Sequence, residues 1–220
     1  MDPRVVLSIL ALTVKLNPVA GNMVNLMEQA AIFIKQRNAS VTNITSWNLT
    51  EAGTHESVGV HAEPTHIREA NCKPSIDDPW YGTVDVRMIT VALKISNPLR
   101  SPFNLLGIVR LPEPTHATFP NTTLILNMNN ETHVKRRIRR IGKRPNKRGV
   151  AGMQVCYFTA TVYLQGSFMY ETKAINGNET NIHVVKIQEL RNDSVGLYAH
   201  GNSLQYTFHG RLERLIYFIR

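Results

Sequence analysis

The chain has 220 residues, 43% of them hydrophobic, with 11 prolines and 13 glycines. That suffices for one domain with a sizeable core, or two small ones, and argues against wholesale disorder. Its 25 Lys and Arg outnumber 16 Asp and Glu for a net charge of +9, and no apolar run reaches the roughly 18–20 residues that a membrane-spanning helix needs.

At the N-terminus, Val5 to Val14 is apolar and Val19-Ala20-Gly21 offers small residues for cleavage. Residues 1–21 therefore read as a signal peptide, with Asp2 and Lys15 as departures and a buried N-terminal element as the alternative. Residues 22–82 read as a helix followed by a polar, sequon-rich segment. Met23, Leu26, Met27, Ala30, Phe33 and Ile34 fall on one helical face within residues 22–37. Beyond them the chain is polar and without sustained period to residue 82, which predicts a long surface segment with short strands.

Seven Asn-x-Ser/Thr triplets occur, at Asn38, Asn43, Asn48, Asn121, Asn130, Asn178 and Asn192. The first three fall within one short stretch, and a density this high points to glycosylation on the secretory path. Cys72 and Cys156 are the two cysteines. In an oxidising compartment they predict one disulfide closing a loop of about 85 residues, worth about 4–5 kcal/mol in the chain-entropy view. The alternative is a pair of buried thiols.

His55, Glu56, His61, Glu63, His66 and Glu69 cluster in sequence, but their spacing matches no compact ligand set and Pro64 breaks any helix aligning them. We expect a polar loop there and no metal. Asp77 and Asp78 before Pro79-Trp80-Tyr81 read as a turn leading to a core Trp.

Residues 83–220 read as one β-rich domain interrupted by a basic loop at 135–148. Thr83 to Ile95 alternates, and its phase flips near Met88, which predicts a bulge or a strand buried on both faces. Phe103 to Leu111 and Thr122 to Met128 read as strands. Met153 to Gln165 is the clearest, rich in β-branched and aromatic residues. Ile182 to Leu190 follows. Leu204–Phe208 and Leu212–Ile219 suggest a closing hairpin around His209-Gly210. The predicted fold is mostly β: a single sandwich- or barrel-like antiparallel domain with one N-terminal amphipathic helix. The run Asp193-Ser-Val-Gly196-Leu-Tyr198-Ala-His200 resembles the Asp-x-Gly-x-Tyr-x-Cys pattern of the immunoglobulin fold, with His200 in place of the cysteine, and that resemblance implies a β-sandwich.

The basic loop holds Lys135, Arg136, Arg137, Arg139, Arg140, Lys143, Arg144, Lys147 and Arg148, with no acid among them; without these nine the chain carries 16 residues of each sign. Such a run suits a polyanion, above all a sulfated glycosaminoglycan. Arg137-Ile-Arg139-Arg140, Lys143-Arg144 and Lys147-Arg148 also fit furin- and Kex2-type proteases. The run between two cysteines resembles, in organisation only, convertase-processed viral glycoproteins, killer-toxin precursors and some growth factors. Nuclear import or nucleic-acid binding is the intracellular alternative, a capsid- or movement-type protein in the nucleus or virion; a solvated loop without a partner is the plainest reading. No Gly-x-Ser-x-Gly, Cys–His pattern or Gly-rich phosphate loop occurs, so no catalytic residues and no cofactor are assigned. The sequence thus describes a secreted or viral N-glycosylated binding protein whose exposed basic loop contacts polyanions, is cleaved by a basic-site convertase, or both, with a cell-surface receptor as a further partner.

Overall fold

The computed structural model describes residues 23–37, 42–49, 59–74, 85–110, 123–129, 132–137, 149–174 and 179–219. In chain order they form strand β1 (Val24–Asn25), helix α1 (Leu26–Arg37), and strands β2 (Thr42–Asn48), β3 (Gly59–Ala62), β4 (Thr65–His66) and β5 (Arg68–Pro74). Next come β6 (Asp85–Ile95), β7 (Leu99–Arg100), β8 (Leu106–Arg110), β9 (Thr123–Asn127), β10 (Thr132–Arg137), β11 (Gly149–Ala174) and β12 (Thr180–Lys186). Short 3-10 turns at Ile187–Leu190 and Asp193–Val195 lead to β13 (Tyr198–His200) and β14 (Ser203–Ile219). The fold is mostly β with one helix among the described residues, as the sequence predicts, and its main antiparallel sheet curls into a half-barrel.

Strand β11 organises the sheet. Cys156, Phe158, Ala160, Val162, Leu164, Phe168, Tyr170 and Thr172 are all buried, so one face points inward along nearly its whole length. One edge of β11 pairs with β14 and then β12; the other pairs in turn with β5, β3 and β2. The polar segment after the helix thus supplies the short strands that cover this second edge. At Gly166 the backbone turns to φ +112°, and a side chain there would meet the carbonyl oxygen of Gly59 at 2.0 Å. Only glycine lets β3 approach β11 at that bend.

The inward face of β14 continues the core with Leu204, Tyr206, Phe208 and Leu212. Helix α1 buries Leu26, Ala30 and Ile34, and its Phe33 ring meets Phe168 edge-on at 6.4 Å. Of its predicted apolar face, Met23 instead stands 55% exposed, because the chain at Val24–Asn25 is a strand paired with β7. Strands β4, β8 and β9 form a small separate sheet that adds Val109, Leu124 and Leu126.

Several expectations change in detail. The phase flip in β6 is a bulge: Met88 pairs with Tyr217 and Val86 with Phe218, leaving Arg87 unpaired in register. The predicted hairpin at His209-Gly210 does not exist. Strand β14 runs straight through, with Gly210 opposite both Phe158 and Ile95. Gly210 marks a close approach rather than a turn, since a side chain there would lie 2.2 Å from the Lys94 carbonyl oxygen. Ile187 to Leu190 leaves the strand for a 3-10 turn. The immunoglobulin-like run is a 3-10 turn entering the short β13, and Tyr198 is 48% exposed where that fold buries its tyrosine. Residues 1–21 and 75–82 lie outside the described residues, and so do the signal-peptide reading and the Asp77–Tyr81 turn.

Candidate polyanion-binding site

Strand β10 occupies the outer edge of the main sheet, antiparallel to β6, and residues 135–137 are strand rather than the loop the sequence predicts. The free edge of β6 needs backbone partners, and β10 supplies them whatever its side chains carry. Lys135, Arg136 and Arg137 pair with Thr90, Ile89 and Met88. Positive charge on an edge strand also discourages pairing with a further chain.

Register then fixes where the basic run enters and leaves. Arg137 pairs with Met88, Met88 with Tyr217, and Tyr217 with Ala151, so one line crosses β10, β6, β14 and β11. The strands before and after residues 138–148 therefore end at the same end of the sheet. They stand three strand spacings apart, about 14 Å. Arg87, at the bulge, adds a further cation by backbone position, against one acid in these strand ends, Asp85. Arg139, Arg140, Lys143, Arg144, Lys147 and Arg148 lie outside the described residues.

Cys72 and Cys156 are joined in a disulfide that clips β5 to β11. Beside it sits a buried cation that the sequence reading missed. Arg214, on the inward face of β14, has a side chain only 4% exposed and pairs with the Glu69 carboxylate. Its guanidinium also donates to Gln154 Oε1 at 3.1 Å and to the Arg110 carbonyl at 3.4 Å, while its Nε finds no partner. Burial raises the Glu69 pKa above its ordinary 4.5, more than Arg214 lowers it. The pair and its hydrogen bonds tie β5, β8, β11 and β14 together. Alternation could have flagged it: Arg214 falls in phase with the buried Phe208 and Leu212. The Glu69 carboxylate and the two sulfurs lie within 4.8 Å of one another, but bonded sulfurs have no thiolate to offer a metal. A cleft of about 420 Å³ lined by His66, Ile67, Glu69, Ile108 and Arg110 opens alongside.

The histidine cluster is dispersed. His61 is exposed on β3, Glu63 is exposed in the turn after it, and His66 is exposed on β4. Neither histidine joins a three-ligand group among the described residues; His55 and Glu56 lie outside them. Of the sequons, Asn43 and Asn48 are on β2 and Asn48 is exposed. Asn192 is half-buried, its amide nitrogen donating to Gln29 Oε1 at 3.0 Å. Asn38, Asn121, Asn130 and Asn178 lie outside the described residues. No helix among the described residues is long and apolar enough to cross a membrane.

No protein-family model and no curated protein matches the chain. Among solved structures, it is similar to a non-toxic crystal protein from Bacillus thuringiensis, with 11% identity, 89% of this chain and 93% of that one covered, and a TM-score of 0.45. It is also similar to a chain of the Cry23Aa1–Cry37Aa1 binary complex (9% identity, 88% and 85% covered, TM-score 0.40). A third is the β-pore-forming protein Mpp75Aa1.1 from Brevibacillus laterosporus (11% identity, 80% and 67% covered, TM-score 0.27). At these identities and scores the likeness carries no activity over to this chain.

Proposed function

We propose that this chain is a secreted, N-glycosylated binding protein whose basic run contacts a sulfated glycosaminoglycan. The observation that carries the reading is the common end of β10 and β11: both flanks of the run stop at one end of the main sheet, beside Arg87. A basic run whose two flanks leave the same end of a sheet would offer a polyanion several simultaneous contacts, each releasing counterions. The Cys72–Cys156 bond supports an oxidising compartment, and so favours a glycosaminoglycan over a nuclear nucleic acid.

The test is heparin chromatography of the full chain under a salt gradient, beside a variant with Arg139, Arg140, Arg144 and Arg148 changed to Gln. The variant should elute at clearly lower salt. Equal elution of the two proteins would overturn the reading. Retention on single-stranded DNA but not on heparin would move the partner to nucleic acid.

A second reading rests on the same disulfide. It encloses residues 135–148 between its two ends, so a convertase cut in the run would leave two chains still joined. Incubation with furin, followed by intact mass with and without reductant, separates nicked from whole protein. A single chain after reduction would exclude this reading.

A further inference from the structure

A cleft of about 530 Å³ opens where the first turn of α1, the bend at Asn97, the turn at Asp193–Val195 and strand β14 meet. One side of it is a fixed polar lattice centred on Asn97. The Asn97 side-chain amide donates to the Thr207 carbonyl at 2.8 Å, and its Oδ1 accepts from the His209 backbone N–H at 2.6 Å. The hydroxyl of the buried Tyr206 donates to the Asn97 carbonyl at 3.0 Å. These groups are satisfied, so they shape the cleft and have little left to give a ligand.

Around them stand groups with capacity to spare. Asn25 uses its Oδ1 on the Met27 N–H at 3.1 Å and keeps its NH₂. Gln29 accepts from Asn192 at 3.0 Å and likewise keeps its NH₂. The exposed Glu28 carboxylate lines the cleft with no hydrogen bond or ion pair among the described residues. Tyr198, 48% exposed, adds an aromatic ring. No Lys or Arg among the described residues lines the cleft, although the chain carries a net charge of +9.

We propose that this cleft binds a neutral saccharide. Adjacent sugar hydroxyls both donate and accept, and here they meet one acceptor-only carboxylate and two donor amides. The apolar C–H face of a sugar ring needs an aromatic surface, which Tyr198 provides. A sulfate or phosphate finds no Lys or Arg among the described residues here, only the His209 ring and one opposing carboxylate. An ammonium group would pair with Glu28 but face two amide NH₂ groups that can only donate to it. A concave site with a few convergent polar groups and one apolar wall is the ordinary form of a small-ligand pocket.

The experiment is binding of the full chain to an array of neutral and sulfated oligosaccharides, repeated in about 1 M NaCl to screen the basic run. A subset of neutral glycans should be retained at both salt concentrations and released by the matching free sugar. Tyr198→Ala should weaken that binding about tenfold or more, as for an aromatic anchor. Glu28→Gln should weaken it too, while Lys186→Ala, exposed on β12, should leave it unchanged. All three substitutions are at exposed positions, and unchanged thermal unfolding would show that the fold is intact. Three results would overturn the proposal: no neutral glycan retained, retention of sulfated glycans alone, or wild-type binding by Y198A and E28Q.

Discussion

Gly210→Ala separates one continuous strand from two strands joined by a turn, because the two arrangements predict opposite signs. Gly210 is not among the residues with positive φ, so alanine meets no backbone objection. What it meets is matter. Its Cβ would lie 2.2 Å from the Lys94 carbonyl oxygen and 2.5 and 2.7 Å from two ring carbons of Phe158. The ring belongs to a side chain only 2% exposed, with no room to swing away. The carbonyl belongs to the neighbouring strand β6, so relief requires the two backbones to part by about 1 Å across a hydrogen-bonded ladder. Overpacking of this kind costs about 1–3 kcal/mol, and a backbone obstacle puts Gly210→Ala near the upper end, about 3 kcal/mol. In an exposed turn without positive φ, the same substitution would stabilise by about 0.4–1 kcal/mol through the unfolded chain. The assay is equilibrium urea unfolding followed by the fluorescence of Trp47 and Trp80. The midpoint should fall with the slope unchanged. In a Phe158→Leu background the added penalty of Gly210→Ala should be smaller but not vanish, since the carbonyl remains. A midpoint equal to or above wild type would refute the packing argument.

Replacing Cys72 and Cys156 with Ser opens a loop of sequence separation 84. It should lower stability by about 4–5 kcal/mol in the chain-entropy view, and reductant should shift the wild-type urea midpoint similarly and leave the variant unmoved. Glu69 gives a pH test. Burial raises its folded pKa above 4.5, so its contribution is fully present below 4.5 and is lost as pH rises through the folded value. Glu69→Gln, shaped like the protonated acid, should therefore gain stability relative to wild type as pH rises through that window and then level off. A difference that does not vary with pH would contradict the assigned cause.

The strands that were legible are those whose side chains alternate over a buried face. Strand β11 could be read from Met153 to Gln165 because inward Cys156, Phe158, Ala160, Val162 and Leu164 alternate with outward Tyr157, Thr159 and Tyr163. It continues to Ala174 because Gly166 is a bend and not an end: the same phase resumes at Phe168 and Tyr170. Strands β2, β3 and β5 were invisible as individuals. Each is short and takes its place from the edge of β11, a partner 80 or more residues away in the chain. Gly210 was misread because a glycine looks the same in a sequence whether it supplies a turn or a gap. The basic run was legible as composition alone. That its flanks meet at one end of the sheet depends on β14, the last strand of the chain, lying between β6 and β11.

The neutral cleft had no signature, since Asn25, Glu28, Gln29, Asn97, Tyr198 and His209 are brought together from three separate parts of the chain. Its place relative to the basic pole nonetheless follows from one strand. Thr207 lines the cleft and Tyr217 lies on the line through Arg137, ten residues further along β14. At the rise of an extended strand that is about 33 Å. The distance is several times the screening length at physiological salt, so a charge change at one site leaves the other's field nearly untouched. It also exceeds the range over which substitutions couple, so losses from Y198A and from the neutralised basic run should add in free energy. If both proposals hold, one sheet carries two recognition surfaces of different electrostatic character, one that salt should release and one that it should not. A ligand joining neutral and sulfated sugars over that span would be held by both at once, with an avidity set by the rigidity of β14 and not by either contact alone.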